Sequence, residues 1–173
     1  VPSAQQHRLA EAFERDPQTG IGMPLIDVTA PPVFESAGGG LVSTASDYAR
    51  FLQLMLGRGT APGQDGPSGL GAPVHLLGRA TVDFMTADHL GNLPVAGDIL
   101  PTGHGFGLGV AVRTAAGLAT RPGSAGQYSW SGLGGTFFFV DPVEDLFAIL
   151  LTQAPGQLRY LCELYPALVY AAL

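Results

Sequence analysis

The stretch that most constrains this fold is residues 126–140, which read Gly-Gln-Tyr-Ser-Trp-Ser-Gly-Leu-Gly-Gly-Thr-Phe-Phe-Phe-Val. A short strand here runs into a bend with three closely spaced glycines, and an apolar strand follows the bend. Glycine lets the backbone come close to another chain segment or to a ligand. The apolar strand ends at Asp141 and Pro142, and a third apolar run covers residues 146–152. This order predicts an antiparallel meander, with the rest of the chain supporting its first strand.

Two aromatic side chains mark one face of that first strand. Tyr128 and Trp130 are two residues apart, and both point to the same face because side chains alternate along a strand. Two interpretations stay open at this point. The pair either packs into the core or forms the aromatic wall of a binding cleft that the neighbouring glycines open.

Composition and charge narrow the function classes. The chain has 173 residues, of which 46% are hydrophobic, so it is long and apolar enough to bury a sizeable core. Its net charge is −6 and it has no basic cluster, which argues against a nucleic-acid partner. No apolar run approaches the roughly 20 residues that span a bilayer, so we expect no membrane span. The single cysteine, Cys162, excludes an internal disulfide and leaves the compartment open.

The first half of the chain reads as helices and loops. We expect a helix over residues 4–15, a proline-rich extended loop over 21–37, and a short helix around 78–87. Residues 59–73 are rich in glycine and proline, which indicates a flexible surface insertion.

The strongest local helix signal lies in residues 38–57. Thr44 and Asp47 have the spacing of a capping box, with Asp in place of the usual Glu. One apolar stripe follows at helical spacing and stops before Gly57; its members are Tyr48, Phe51, Leu52, Met55 and Leu56.

Two further elements belong to the second half. Residues 105–110 alternate glycine with apolar residues, which predicts one strand whose bare face allows close packing. Residues 155–173 predict a helix that covers one face of the sheet, with Pro166 kinking it or starting a second segment.

A self-sufficient catalytic set is missing from the sequence. The four histidines are scattered, so we expect no metal site, and no dinucleotide or phosphate loop indicates a cofactor. The nucleophile elbow Gly-x-Ser-x-Gly does not occur. All eight basic residues are arginine, so a Ser-x-x-Lys motif cannot exist either.

Three motifs in order nevertheless resemble a known family. Residues 38–52, residues 105–110 and residues 128–153 resemble the serine β-lactamase-like family, with the class C-like (family VIII) carboxylesterases and transesterases as the most similar branch. The resemblance spans nearly the whole chain but corresponds to the C-terminal half of that family's domain. It implies an α/β fold of the α+β type, with antiparallel strands flanked by helices. Residues 1–95 would form a helical region with loops, and residues 96–173 three antiparallel strands and the C-terminal helix.

The resemblance also implies roles for residues near the glycine bend. In that family the nucleophile is the serine of Ser-x-x-Lys, assisted by its lysine and by a tyrosine, all of which lie upstream of this segment. A further active-site motif of that family, after those of the serine with its lysine and of the tyrosine, reads Trp-x-Gly in the esterase-like branch. It matches Trp130, Ser131 and Gly132. By that match the backbone N–H of Leu133 donates to the oxyanion, and Tyr128, Trp130, Ser131 and Gly132 contact substrate.

These implications predict part of a serine hydrolase that acts on small esters or acyl groups through an acyl-enzyme. The partner would be the N-terminal half of the same domain, from the same precursor or a second chain. Since the sequence begins with Val1, we expect polypeptide to precede it, and we expect this chain alone to be inactive. Two alternatives stay open: a non-catalytic binding or structural relative of the same fold, and β-lactamase or peptidase activity in the assembled protein.

Overall fold

The computed structural model describes residues 1–16, 18–22, 27–31, 33–34, 36, 38–39, 41–63, 71–94 and 99–173. Within these ranges the helices are α1 (Ala45–Leu56), α2 (Arg79–Met85) and α3 (Leu158–Tyr170). The strands are β1 (Thr60–Gly63), β2 (Gly71–His75), β3 (His104–Phe106), β4 (Ala111–Arg113), β5 (Tyr128–Ser131), β6 (Phe137–Asp141) and β7 (Leu146–Leu150).

One antiparallel sheet carries the second half of the described chain. Its strands lie in sequence order from β3 to β7. The predicted meander is confirmed: β5 pairs with β6, with Trp130 opposite Phe138, and β6 pairs with β7 along its full length. The mixture of helices and antiparallel strands confirms the expected fold class.

Helices cover both faces of this sheet. The apolar cluster on one face joins α1 and α2 to the sheet residues Val112, Tyr128, Phe138 and Val140. The cluster on the other face joins α3 to Phe137, Phe139 and Ala148. β6 is therefore buried along its whole length, because alternate residues serve opposite faces.

The helix predicted from the capping box is confirmed. The Asp47 N–H donates to Thr44 Oγ1 over 3.2 Å, and the helix ends where Gly57 follows. Leu52 and Met55 are buried, whereas Phe51 is 42% exposed. The short helix expected around residues 78–87 is also present, as α2.

Two expectations for the first half are wrong. The N-terminal helix ends early, since only Ser3–Arg8 is helical, as a 3₁₀ segment, and residues 9–15 form no helix. The supposed insertion at 59–73 contains strands instead: β1 and β2 pair as an antiparallel hairpin, and the residues 64–70 between them lie outside the described ranges. Of the predicted loop at 21–37, the described residues form no helix or strand.

Residues 105–110 do not form the single strand that their alternation predicts. β3 ends at Phe106, the chain turns, and it returns as β4, so the sheet has five strands instead of three. The turn needs a positive φ, which Gly109 supplies at +89°. The bare face does permit the close packing that was expected, because a Cβ on Gly105 would collide with the Asp88 carboxylate.

Pro166 does not divide the C-terminal helix. It is buried inside α3, which runs continuously through it. Proline has no N–H to donate to the carbonyl four residues earlier, which is that of Cys162. Arg121 Nη1 donates to this carbonyl instead, over 2.7 Å, so the loop before β5 completes the helix.

Candidate active site

The turn between β5 and β6 is a three-residue hairpin loop with a glycine bulge. The Gly135 N–H donates to the Gly132 carbonyl over 2.9 Å, and the Gly132 N–H donates to the Thr136 carbonyl over 2.8 Å. Gly135 has a φ of +103°, which suits glycine at the bulge position of such loops. The bend predicted from the three glycines is therefore a defined turn.

Leu133 lies at the first central position of this turn. Its side chain is 77% exposed. No hydrogen bond of the Leu133 N–H occurs within the part of the chain that the structure describes. The turn therefore exposes a backbone N–H that has no partner among the described residues.

Among the described residues, the last part of β5 has no partner strand on one side. β4 pairs with β5 only as far as Ala111 opposite Ser129, whereas β6 continues past Trp130 to Ser131. Backbone groups along an antiparallel strand point alternately to its two neighbours. Because the Gly132 N–H points to β6, the backbone of Ser131 points to the side that β4 leaves unpaired, which we call the open edge.

Trp130 forms one wall of an apolar cavity. Its ring meets that of Phe106 edge-on, with 5.0 Å between the centroids. The cavity has a volume of about 180 Å³ and lies between α1, the β3–β4 hairpin and the sheet. Its lining contains no charged side chain; the residues are Tyr48, Phe51, Met55, Met85, Leu108, Gly109, Val110, Trp130 and Phe138. This surface suits an uncharged group better than an ion.

Tyr128 has a different position from Trp130. It is 2% exposed and lies in the core cluster with Leu52, Val82 and Val112, away from the cavity lining. Its hydroxyl is buried without a hydrogen-bond partner among the described residues, and burial raises the pKa of this phenol well above its ordinary value. Tyr128 therefore packs in the core, whereas Trp130 both packs against that core cluster and lines the cavity.

A buried polar cluster fixes the loop that leads into β5. Arg113, 1% exposed, donates to the backbone carbonyls of Arg121, Pro122 and Gly123. Asp141, fully buried, accepts from the Ser124 N–H at 3.0 Å and from the Tyr170 hydroxyl. Although desolvation opposes ionisation, these hydrogen bonds hold the pKa of Asp141 below its ordinary value. The start of β5 is thereby held to both β6 and α3.

The structure brings Trp130, Ser131, Gly132 and Leu133 together at one end of β5. Two residues that contact this end of β5 and its turn were not predicted from the sequence. Phe106 was assigned to a strand interior, and Thr152, which hydrogen-bonds to the turn, ended a predicted strand without any role. Neither residue carries a local signal, because each reaches the site through a side-chain contact between segments that are distant in sequence.

Comparison with known proteins identifies the family. A family model described as Beta-lactamase matches residues 1–173. The chain belongs to the β-lactamase family. Two relatives from Mycobacterium tuberculosis, Uncharacterized protein MT1414 (strain CDC 1551 / Oshkosh) and Protein Rv1367c (strain H37Rv), are each 34% identical to it over 165 residues. That alignment covers 88% of this β-lactamase-family chain and 38% of either relative, so the chain spans well under half of their length.

A solved structure shares the fold of this β-lactamase-family chain. It is that of EstCE1, described as a hydrolase with promiscuous acyltransferase activity. The TM-score is 0.54 at 23% sequence identity, covering 86% of this chain and 35% of EstCE1. This likeness shows that the chain has the fold of the corresponding part of EstCE1.

The described ranges hold no cluster of three or more His, Cys, Asp or Glu side chains able to bind a metal ion. None of the helices within them is long and apolar enough to cross a bilayer.

Proposed function

We propose that this chain is the C-terminal half of a serine hydrolase that acts on esters or acyl groups through an acyl-enzyme. The nucleophilic serine and its lysine would lie on polypeptide outside this sequence. The observation that carries the proposal is the unpaired Leu133 N–H, which follows Trp130, Ser131 and Gly132 beside an open strand edge. Membership of the β-lactamase family and the fold shared with EstCE1 support it.

The Leu133 N–H would act on the charge that develops during acyl transfer. When the serine oxygen bonds to the substrate carbonyl carbon, the carbonyl oxygen becomes an oxyanion; the alcohol then leaves with a proton and the acyl-enzyme remains. A backbone donor aimed at that oxyanion is worth about 3 kcal/mol of barrier. Leu133 suits this task because its N–H serves no other described partner.

The cavity argues for an uncharged acyl or alkyl group. In the family that this sequence resembles, the motif reads Lys-Thr-Gly in β-lactamases, and Trp130 stands at the position of that lysine. None of the residues that line the cavity is charged. A substrate carboxylate would therefore lose its hydration without gaining a cation. A neutral ester has no such cost, so esters are preferred over carboxylate-bearing β-lactams.

Exposed apolar side chains near the cavity support a missing partner segment. Phe51 is 42% exposed and Leu108 is 53% exposed. Contiguous apolar surface of this kind is typical of a site that another segment covers. An N-terminal half of the domain that covers this face would bury both side chains.

The experiment uses the full-length protein that this proposal requires. Leu133→Pro removes the N–H at a turn position that proline favours, so the turn itself should survive. We expect kcat for p-nitrophenyl esters to fall about 100-fold or more in Leu133→Pro, while Leu133→Ala, which keeps the N–H, stays within about threefold. Both variants should still be labelled by a fluorophosphonate, Leu133→Pro more slowly.

Three results would contradict the proposal. They are unchanged turnover in Leu133→Pro, labelling of the isolated 173-residue chain, and a full-length protein that neither labels nor turns over esters. In the last case a non-catalytic relative is the better account. Nitrocefin turnover that exceeds ester turnover would instead show β-lactamase activity.

A further inference from the structure

The turn that presents the Leu133 N–H is held from one side by the segment after β7. Thr152 Oγ1 donates to the Gly135 carbonyl over 2.6 Å. Thr152 lies two residues beyond the end of β7, where pairing with β6 has stopped. The contact is therefore an added tie between this segment and the turn and not part of the sheet ladder.

The fit around Gly135 is tight. A Cβ built on this residue would lie 2.8 Å from Thr152 Oγ1 and 2.9 Å from the Ala154 carbonyl oxygen. Gly135 itself is buried, although Leu133, two residues earlier, is largely exposed. The turn thus has one fixed side, at Gly135, and one side that faces the open edge.

The supporting segment is itself anchored. The Gln157 N–H donates to the Ala154 carbonyl over 2.9 Å, and Gln157 Nε2 donates to Asp16 Oδ2 over 2.8 Å. Because this segment is itself fixed by hydrogen bonds, its contact with the turn can fix the position of the turn.

We propose that Thr152 is a positioning residue that sets the location of the Leu133 N–H for oxyanion binding. This inference rests on the proposed function of that N–H. On the β4 side no strand of the described ranges holds the turn, since pairing with β4 ends at Ser129. The hydroxyl of Thr152 supplies a fixed point in its place. Displacement of a reacting group by about 1 Å can cost about 100-fold in rate, so such a tie matters for catalysis.

The experiment compares Thr152→Val, which keeps the shape and removes the hydroxyl, with Thr152→Ser, which keeps the hydroxyl. In the full-length protein we expect Thr152→Val to lower kcat for a p-nitrophenyl ester about tenfold, with KM within about twofold. Inhibition by phenylboronic acid, which mimics the tetrahedral intermediate, should weaken in proportion to kcat/KM. Thr152→Ser should stay within about twofold of wild type in every constant.

A second measurement does not depend on activity. The ¹⁵N–¹H resonance of Leu133 should shift in Thr152→Val and remain in place in Thr152→Ser. Wild-type kcat with an unmoved Leu133 resonance in Thr152→Val would overturn the inference. Equal losses in both variants, with KM and thermal stability falling together, would also overturn it, because they indicate packing alone. If the wild-type protein turns over no ester but the resonance moves only in Thr152→Val, the proposed function fails while the positioning of the turn is supported.

Discussion

At the scale of single residues, the Tyr128 hydroxyl is the clearest anomaly. A buried polar group without a partner costs about 1–3 kcal/mol, whereas its replacement by an apolar group of the same shape is close to neutral or stabilising. We therefore expect Tyr128→Phe to leave the free energy of unfolding unchanged or to raise it by about 1 kcal/mol, as measured by urea denaturation of the full-length protein. Ester turnover should not change, because the ring lies outside the cavity lining.

Tyr165 provides the matched control. Its hydroxyl donates to the Ile149 carbonyl over 2.9 Å, so Tyr165→Phe should lose about 1 kcal/mol. A larger loss in Tyr128→Phe than in Tyr165→Phe would mean that the Tyr128 hydroxyl has a partner after all. A loss of turnover in Tyr128→Phe would restore that residue to the substrate site.

The sequence predicts the residues of the candidate site better than their surroundings. Trp130, Ser131, Gly132 and Leu133 follow from a short motif, and they form the end of β5 and the start of the turn that follows it. The alternation of side chains along β5 could not predict that Tyr128 and Trp130 differ in burial, because both side chains point to the same face of the sheet. Their difference in burial depends on how far α1 and the β3–β4 hairpin extend over that face, which strand periodicity does not encode.

At the scale of elements, acid should release the turn around Asp16 from the segment before α3. Asp16 accepts from the Thr19 N–H at 2.7 Å and from Gln157 Nε2 at 2.8 Å, and these hydrogen bonds lower its pKa from 3.8 to about 2. Because the folded pKa lies below the unfolded one, the stabilisation is complete above about pH 4 and is lost as the pH falls towards 2. Urea midpoints measured across this range should fall less steeply in Asp16→Asn than in wild type.

Asp145→Asn is the control for that series, since Asp145 is an exposed turn residue. Its urea midpoint should fall with decreasing pH as steeply as that of the wild type. If the urea midpoint of Asp16→Asn also fell as steeply as that of the wild type, the docking of the Asp16 turn would not be linked to ionisation of this carboxylate.

A second prediction for elements concerns how Arg121 completes α3. Arg121 is 7% exposed and donates to the Cys162 carbonyl that Pro166 leaves without a helical partner. Loss of this bond in Arg121→Met should cost about 2–3 kcal/mol, since the donor is charged. In a Pro166→Ala background the new N–H can donate to Cys162, so the same substitution should cost about 1 kcal/mol less.

The double-mutant cycle needs a reference pair. Leu168 lies on the same helix and is 59% exposed. The changes in the free energy of unfolding caused by Leu168→Ala and Arg121→Met should therefore add. Urea denaturation of the four proteins in each cycle gives the coupling energy. Additivity between Arg121 and Pro166 would show that the Cys162 carbonyl is not what Arg121 satisfies.

Local patterns predicted elements well where one signal dominated. The capping box and stripe predicted α1, and the apolar runs predicted β5, β6 and β7. The hairpins were missed because alternating glycines at 105–110 fit a strand and a turn equally well, and because β1 and β2 contain the residues that usually mark loops. Their pairing depends on contacts between segments, which no single window of sequence contains.

At the scale of the whole molecule, the open question is whether this chain forms a stable unit without its proposed partner segment. Large apolar side chains remain exposed on both sides of the sheet: Phe51 and Leu108 near the cavity, and Tyr160 and Leu168 on α3. Exposed apolar surface and an open strand edge favour association with other chains.

We therefore expect the isolated 173-residue chain to bind 8-anilinonaphthalene-1-sulfonate strongly, to self-associate in sedimentation velocity, and to melt without a sharp transition. The full-length protein should be monodisperse, bind little dye and melt cooperatively, because the added half of the domain buries both apolar regions. The double substitution Phe51→Ser with Leu108→Ser should reduce dye binding by the isolated chain, because the apolar surface around these residues is exposed there. In the full-length protein the same substitutions should lower the free energy of unfolding, because the proposed N-terminal half covers that surface. A monomeric isolated chain with a sharp melting transition would show instead that these side chains need no cover, and would favour a complete domain that binds ligands without turnover.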